Sequence, residues 1–179
     1  MENFDKIFEQ DTDTEYKVDE HMIEKFRTQY VKFAKAIPFQ VVEFANSLGI
    51  GVYLSDNFGS GERGKIQYDE ELQRYKISVN VKDSSRGKMF TIAHEIAHAI
   101  CDSEYLKTEK ILTDGLLRRD SNKREVRANK FAAELLMPEG KFKEKWEDLR
   151  GNIKKIADYF DVSEVAITVR ASNLFGVIF

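Results

Sequence analysis

Two histidines one helical turn apart, with a carboxylate beside the first, form the segment His94-Glu95-Ile96-Ala97-His98. Residues i and i+4 lie one above the other on a helix, so two imidazole nitrogens at this spacing can converge on one cation. Glu95 is rotated away from that line, where a carboxylate can hold a water and take its proton. The pattern requires a helix and points to a zinc hydrolase. Because the same three fixed positions also arise on ordinary exposed helices, the neighbouring residues have to decide. At about 100° per residue, Met89, Ile92, Ala93, Ile96, Ala97 and Ile100 fall within about 140° of the circumference. His94 and His98 fall outside this arc. The expected helix has its isoleucines in a core and its histidines facing a cleft, with Ser84 or Ser85 as N-cap.

A catalytic zinc site usually has three protein ligands and a water. The chain has three histidines in all. The third, His21, lies in an acidic amino-terminal stretch and reads as partly exposed surface. No histidine occurs between Ile100 and Asp114, so the third ligand has to be a carboxylate on another element. The segment Lys123 to Met137, KREVRANKFAAELLM, has no internal Gly or Pro and is rich in helix formers. On its helical wheel Ala128, Ala132, Ala133, Leu135 and Leu136 share the core-facing arc, and Glu125 and Asn129 fall within it. Lys123, Arg127, Lys130 and Glu134 fall on the opposite, solvated side. A carboxylate on an apolar face needs a cationic partner, which a zinc ion or an Arg or Lys of a neighbouring helix can supply. Asn129, one turn beyond Glu125, is placed either to accept a hydrogen bond from the distal nitrogen of a ligating histidine or to join two helices.

The blocks FTIAHEIAHAI (Phe90 to Ile100) and EVRANKFAAELLMP (Glu125 to Pro138) resemble those of the ImmA/IrrE-type metallopeptidases in order and separation. Ile77 to Asn80 looks like the strand that leads into the active-site helix of that family, and the similarity extends loosely from about Val41 to the carboxyl terminus. The resemblance implies an α+β, zincin-like fold in which a small three-stranded sheet packs on the active-site helices. It implies zinc held by His94, His98 and Glu125, with Glu95 as catalytic base. It also implies a protein substrate, a helix-turn-helix transcriptional repressor, whose cleavage or other inactivation releases a mobile element, a phage or a stress response. A non-proteolytic anti-repressor that sequesters its repressor is the alternative. One departure is visible: members often carry a second acidic residue two positions after the glutamate ligand, where this chain has Arg127.

Organisation and charge complete the expectations. Residues 1–37 read as a flexible acidic lead and an amphipathic helix from about Val18 to Ala36. Residues 38–138 read as the metallopeptidase core, and 139–179 as a helical subdomain. Within the core a helix is expected between Pro38 and Gly49, then strands at Gly51–Ser55, Gly64–Tyr68 and Tyr75–Val81. An edge strand of this sheet offers an extended peptide a place to pair. The connection Asp102 to Asn122 reads as a cleft wall or lid. In the tail, Ile153–Phe160 and Ser163–Leu174 resemble a helix-turn-helix. Yet Glu139 to Phe179 carries seven acidic and seven basic residues, without the basic stripe that DNA affinity requires. Packing or substrate docking is the reading preferred to a DNA-binding regulator. The six basic and two acidic residues of Arg118 to Lys130 form either a solvated face or a patch that steers an acidic partner. With no signal-peptide pattern, no apolar run long enough for a bilayer and a single cysteine, Cys101, the expected location is the cytoplasm.

Overall fold

The computed structural model describes residues 1–9, 19–109, 111–113 and 119–177, with the side chains of 109, 111–113 and 119–122 excepted. Its strands form where apolar and β-branched residues lie between turn residues: β1 (Gly51–Ser55), β2 (Gly64–Asp69) and β3 (Arg74–Asn80), each within one residue of the expected bounds. A short fourth strand, β4 (Ile111–Thr113), extends the three-stranded sheet that was expected. The order is β1-β3-β2-β4. β2 runs antiparallel to both β3 and β4, Ile66 standing opposite Ile77 and Leu112, whereas β1 joins β3 in parallel. β1 and β4 are therefore the edges.

The long central helix α4 (Ser85–Cys101) starts where Ser84 accepts a hydrogen bond from the Gly87 amide. From Thr91 onward it contains no Lys or Arg, and every residue to Cys101 is buried. A helix without a charged solvent stripe has to be covered on all sides. β2 and β3 pack on one side, α2 (Glu20–Phe33) and α3 (Val41–Ser47) on another, and α6 (Arg119–Leu136) on a third. The histidines are consequently enclosed, at 6% and 2% exposure, rather than open to a cleft as the wheel suggested. Cys101, the last residue of α4, is buried.

The amino-terminal segment departs from expectation. Residues 2–9 form helix α1 (Glu2–Glu9), whose Phe4, Ile7 and Phe8 are buried, so this part is not a flexible lead. Phe4 meets Phe26, Tyr30 and Phe131 edge-on at centroid distances of 4.9 to 5.1 Å, geometry that aromatic quadrupoles favour. The remainder of the lead, residues 10–18, lies outside the described residues. The connection after α4 contains α5 (Ser103–Glu109) and β4, while residues 110 and 114–118 are likewise outside.

The tail folds as α7 (Glu139–Asp148), α8 (Ile153–Phe160) and α9 (Glu164–Phe175), the last two N-capped by Asn152 and Ser163. Its own aromatic set, Phe142, Trp146, Phe160 and Phe175, packs internally. Ion pairs tie it to the rest: Arg86 of α4 bonds Asp158 and Asp161, and Arg170 of α9 bonds Glu134 of α6. Among the described residues no helix is long and apolar enough to cross a membrane.

Candidate metal centre

His94 and His98 leave α4 on one line and meet Glu125 of α6. His94 Nε2 lies 3.1 Å from Glu125 Oε2, His98 Nε2 lies 3.4 Å from Glu125 Oε1, and the two Nε2 atoms are 3.0 Å apart. Among the described residues these three form the one group of His, Cys, Asp and Glu side chains gathered closely enough to hold a metal ion. Both distal nitrogens are engaged. His94 Nδ1 donates to Asn129 Oδ1 at 3.1 Å, and His98 Nδ1 donates to Asp102 Oδ2 at 2.7 Å.

With Nδ1 of each ring donating, both Nε2 atoms turn lone pairs toward the same point, where Glu125 adds carboxylate oxygens. Three acceptors facing one another repel unless a proton or a cation lies between them. Around a tetrahedral zinc with bonds of about 2.0–2.1 Å, ligand atoms stand about 3.3 Å apart. The separations of 3.0 to 3.4 Å, taken to both oxygens of Glu125, are of the size that a small metal ion between these side chains requires. The electrostatics agree: burial by itself lowers the pKa of His98, but hydrogen bonds to Asp102 and Glu125 raise it to about 10. Burial likewise favours a neutral Glu125, yet the two imidazoles hold its carboxyl well below the usual carboxylate range. The pocket thus stabilises positive charge at its centre.

Glu95 is fully buried on α4, turned toward the sheet. A Cβ added at Gly64, the first residue of β2, would lie 3.1 Å from Glu95 Oε1 and 2.3 Å from Thr91 Cγ2. The strand backbone therefore approaches the carboxylate as only a glycine permits. His21, exposed at the start of α2 beside its N-cap Asp19, lies outside the cluster.

Two residues of the expected solvated face of α6 are buried instead. Arg127, at 5% exposure, bonds Asp102 Oδ1 at 2.6 Å and the carbonyl of Cys101 at 3.4 Å, so a single carboxylate bridges His98 and a buried guanidinium. Glu134, also buried, accepts from Arg170 and Asn3. The exposed strip of α6 runs through Lys123, Val126, Asn129 and Lys130, and Glu125 stands at its margin at 32% exposure. The wheel failed because it assigned charge to solvent, whereas α1, α9 and the end of α4 supply partners for these charges. The basic stretch is also less exposed than expected, since Arg124 is buried over the Tyr105 ring at 4.1 Å.

Asp102 and Gly64 are the contributors that sequence reasoning missed. Asp102 had a signal, because it continues the line 94, 98, 102 at one-turn spacing beyond the second histidine. Gly64 had only the presence of glycine at the start of a strand.

Residues 45–172 match the family model of the IrrE N-terminal-like domain, peptidase M78. The chain belongs to this family. Membership supports a metallopeptidase-type or regulatory role, and the cluster supplies side chains able to hold a metal ion. No curated protein matches the chain. Among solved structures, a Mycobacterium tuberculosis transcriptional regulator is similar over 87% of this chain at 19% identity, with a TM-score of 0.61. That likeness bears on the fold, and the matched part is 47% of the regulator's own length.

Proposed function

We propose that the chain is a zinc-dependent metalloendopeptidase acting on a protein substrate, a helix-turn-helix transcriptional repressor, in the cytoplasm. The observation that carries this reading is the convergence of His94 and His98 of the buried helix α4 with Glu125 of α6, next to Glu95 of α4. His94, His98 and Glu125 hold the zinc, while Asn129 and Asp102 fix the two imidazoles with Nε2 free to ligate. Zinc bound there polarises a carbonyl and lowers the pKa of water from about 15.7 toward about 7.

The remaining work falls to this chain's residues. Glu95 accepts the proton of the attacking water and delivers it to the amine nitrogen as the C–N bond breaks. Its carboxylate lies against the backbone of β2, which keeps it off the ligand line. Residues 38–138 carry this machinery, with 1–37 and 139–179 as its flanks. The repressor substrate rests on the resemblance in sequence rather than on any contact in the fold.

A second reading, sequestration of the repressor without cleavage, draws on the apolar groove that Asn129 helps to line beside the cluster. Intact-mass spectrometry of a repressor encoded in a neighbouring gene, incubated with the metal-loaded protein, separates the two. Cleavage gives two fragments whose masses add to the parent plus one water, and sequestration leaves the mass unchanged. The Glu95→Gln variant should bind zinc and lose cleavage by about 10²–10⁴-fold. Cleavage at the parental rate would remove Glu95 from the mechanism.

A further inference from the structure

The two imidazoles of the cluster are supported in different ways. His94 Nδ1 donates to the neutral amide of Asn129, which is exposed on α6. His98 Nδ1 donates instead to a buried carboxylate, that of Asp102, at 2.7 Å. Asp102 is also the C-cap of α4, its backbone N–H donating to the His98 carbonyl. A helix carries partial negative charge at this end, where its last carbonyls find no intrahelical donor. A buried carboxylate placed there is repelled by those carbonyls, and one hydrogen bond from a neutral imidazole does not offset this together with the loss of hydration. Such a group needs a cation.

Arg127 supplies it. Its Nη2 lies 2.6 Å from Asp102 Oδ1 and 3.4 Å from the Cys101 carbonyl, so one guanidinium nitrogen serves both the carboxylate and the last turn of α4. With Oδ1 engaged from the α6 side, Oδ2 is left to face the imidazole. α6 therefore meets the histidine line of α4 twice: Glu125 reaches the ligating nitrogens, and two residues on Arg127 stands behind His98. Arg127, Asp102 and His98 are all buried, so bulk water competes little for these bonds.

We propose that Arg127 is a positioning residue for the metal: through Asp102 it holds the His98 imidazole in the tautomer and orientation that turn Nε2 toward Glu125. This rests on the metal of the proposed peptidase site and not on its activity.

A double-mutant cycle read by zinc affinity tests it on the full chain. Zinc is titrated in competition with a chromophoric chelator, and circular dichroism checks that each variant is folded. Arg127→Met should weaken zinc about tenfold, the lower end of the range of about 10–100-fold usual for supports of a ligand. Because one nitrogen makes both bonds, Arg127→Lys, which keeps the cation, should recover most of that loss. In the Asp102→Asn background an amide oxygen still accepts from His98 and no carboxylate needs neutralising, so Arg127→Met should change affinity there by less than about twofold. Imidazole 15N–1H spectra of the zinc-loaded chain should place the His98 proton on Nδ1, and that resonance should broaden in Arg127→Met while the His94 resonance stays sharp. Parental zinc affinity in Arg127→Met would overturn the proposal. The same loss in the Asp102→Asn background, or equal broadening of both histidines, would also overturn it, assigning Arg127 to the fold alone. If Arg127→Met does not fold, Asp102→Asn and Asp102→Asn/Arg127→Met, which strand no carboxylate, decide by the same criterion. Absence of zinc binding by the parent would remove the proposal together with the metal. Unaltered cleavage by Glu95→Gln would remove the assigned base and leave zinc binding as it was.

Discussion

Asp102 is bonded to a histidine of the cluster on one side and to a buried guanidinium on the other, so its removal should have two separable consequences. In Asp102→Ala, Arg127 keeps its 5% exposure but loses the 2.6 Å carboxylate bond. Breaking one partner of a buried pair costs about 3–5 kcal/mol, because the other charge stays in a poorly polarisable place. With a urea m-value of about 2 kcal/mol per molar, the midpoint should fall by about 1.5–2.5 M. His98 Nδ1 loses its acceptor in the same variant, and metal affinity should drop about 10–100-fold, the usual effect of removing such a support. The double variant Asp102→Ala/Arg127→Met removes the buried guanidinium as well and should recover part of the stability while keeping the metal defect. Urea denaturation of the metal-stripped protein reads the first effect, and zinc competition against a chromophoric chelator reads the second. If the double variant is as unstable as the single one, the buried-charge argument is wrong. If Asp102→Ala binds zinc like the parent, Asp102 does not position His98.

Three further predictions concern other parts of the molecule. Gly64→Ala places a methyl 2.3 Å from Thr91 Cγ2 and should cost about 1–3 kcal/mol in thermal unfolding, with partial recovery in Gly64→Ala/Thr91→Ser, which lacks that methyl. Tyr30 is raised to about 12, chiefly by burial and secondarily by Glu134. A raised folded pKa gives stability that is complete below the unfolded value of about 10 and is lost as pH rises toward 12, so about 2–3 kcal/mol should disappear over that window. The pH-dependent part should be smaller in Tyr30→Phe, as followed by urea midpoints at each pH. Phe131→Ala removes the ring on which α1 packs and should cost about 3–5 kcal/mol by denaturation, with Phe4→Ala coupled to it rather than additive.

What the sequence made legible was governed by local rules. Strand limits followed the alternation and the flanking turn residues, and Ser84 caps its helix through its own side chain. His94 and His98 lay within reach of helix geometry, one turn apart on α4, whereas Glu125 and Asn129, expected on the core-facing arc of α6, stand at the margin of its exposed strip and within it. Other features depended on distant partners. Arg127 and Glu134 were assigned to solvent because a wheel cannot see Asp102 or Arg170 across a helix contact. The segment around Phe4, Ile7 and Phe8 was hidden by the acidic residues interspersed with it, although the spacing 4, 7, 8 is that of a buried helical face. The parallel pairing of β1 with β3 joins strands that are not neighbours in sequence, and β4 is only three residues long.

X-ray absorption spectroscopy of the zinc-reconstituted chain tests whether His94, His98 and Glu125 hold a metal. The expected result is one zinc per chain, coordinated by two imidazoles and a carboxylate oxygen at about 2.0–2.1 Å, with stoichiometric binding lost in His98→Ala and in Glu125→Ala. Stoichiometric zinc in His98→Ala, or a spectrum without imidazole scattering, would contradict it.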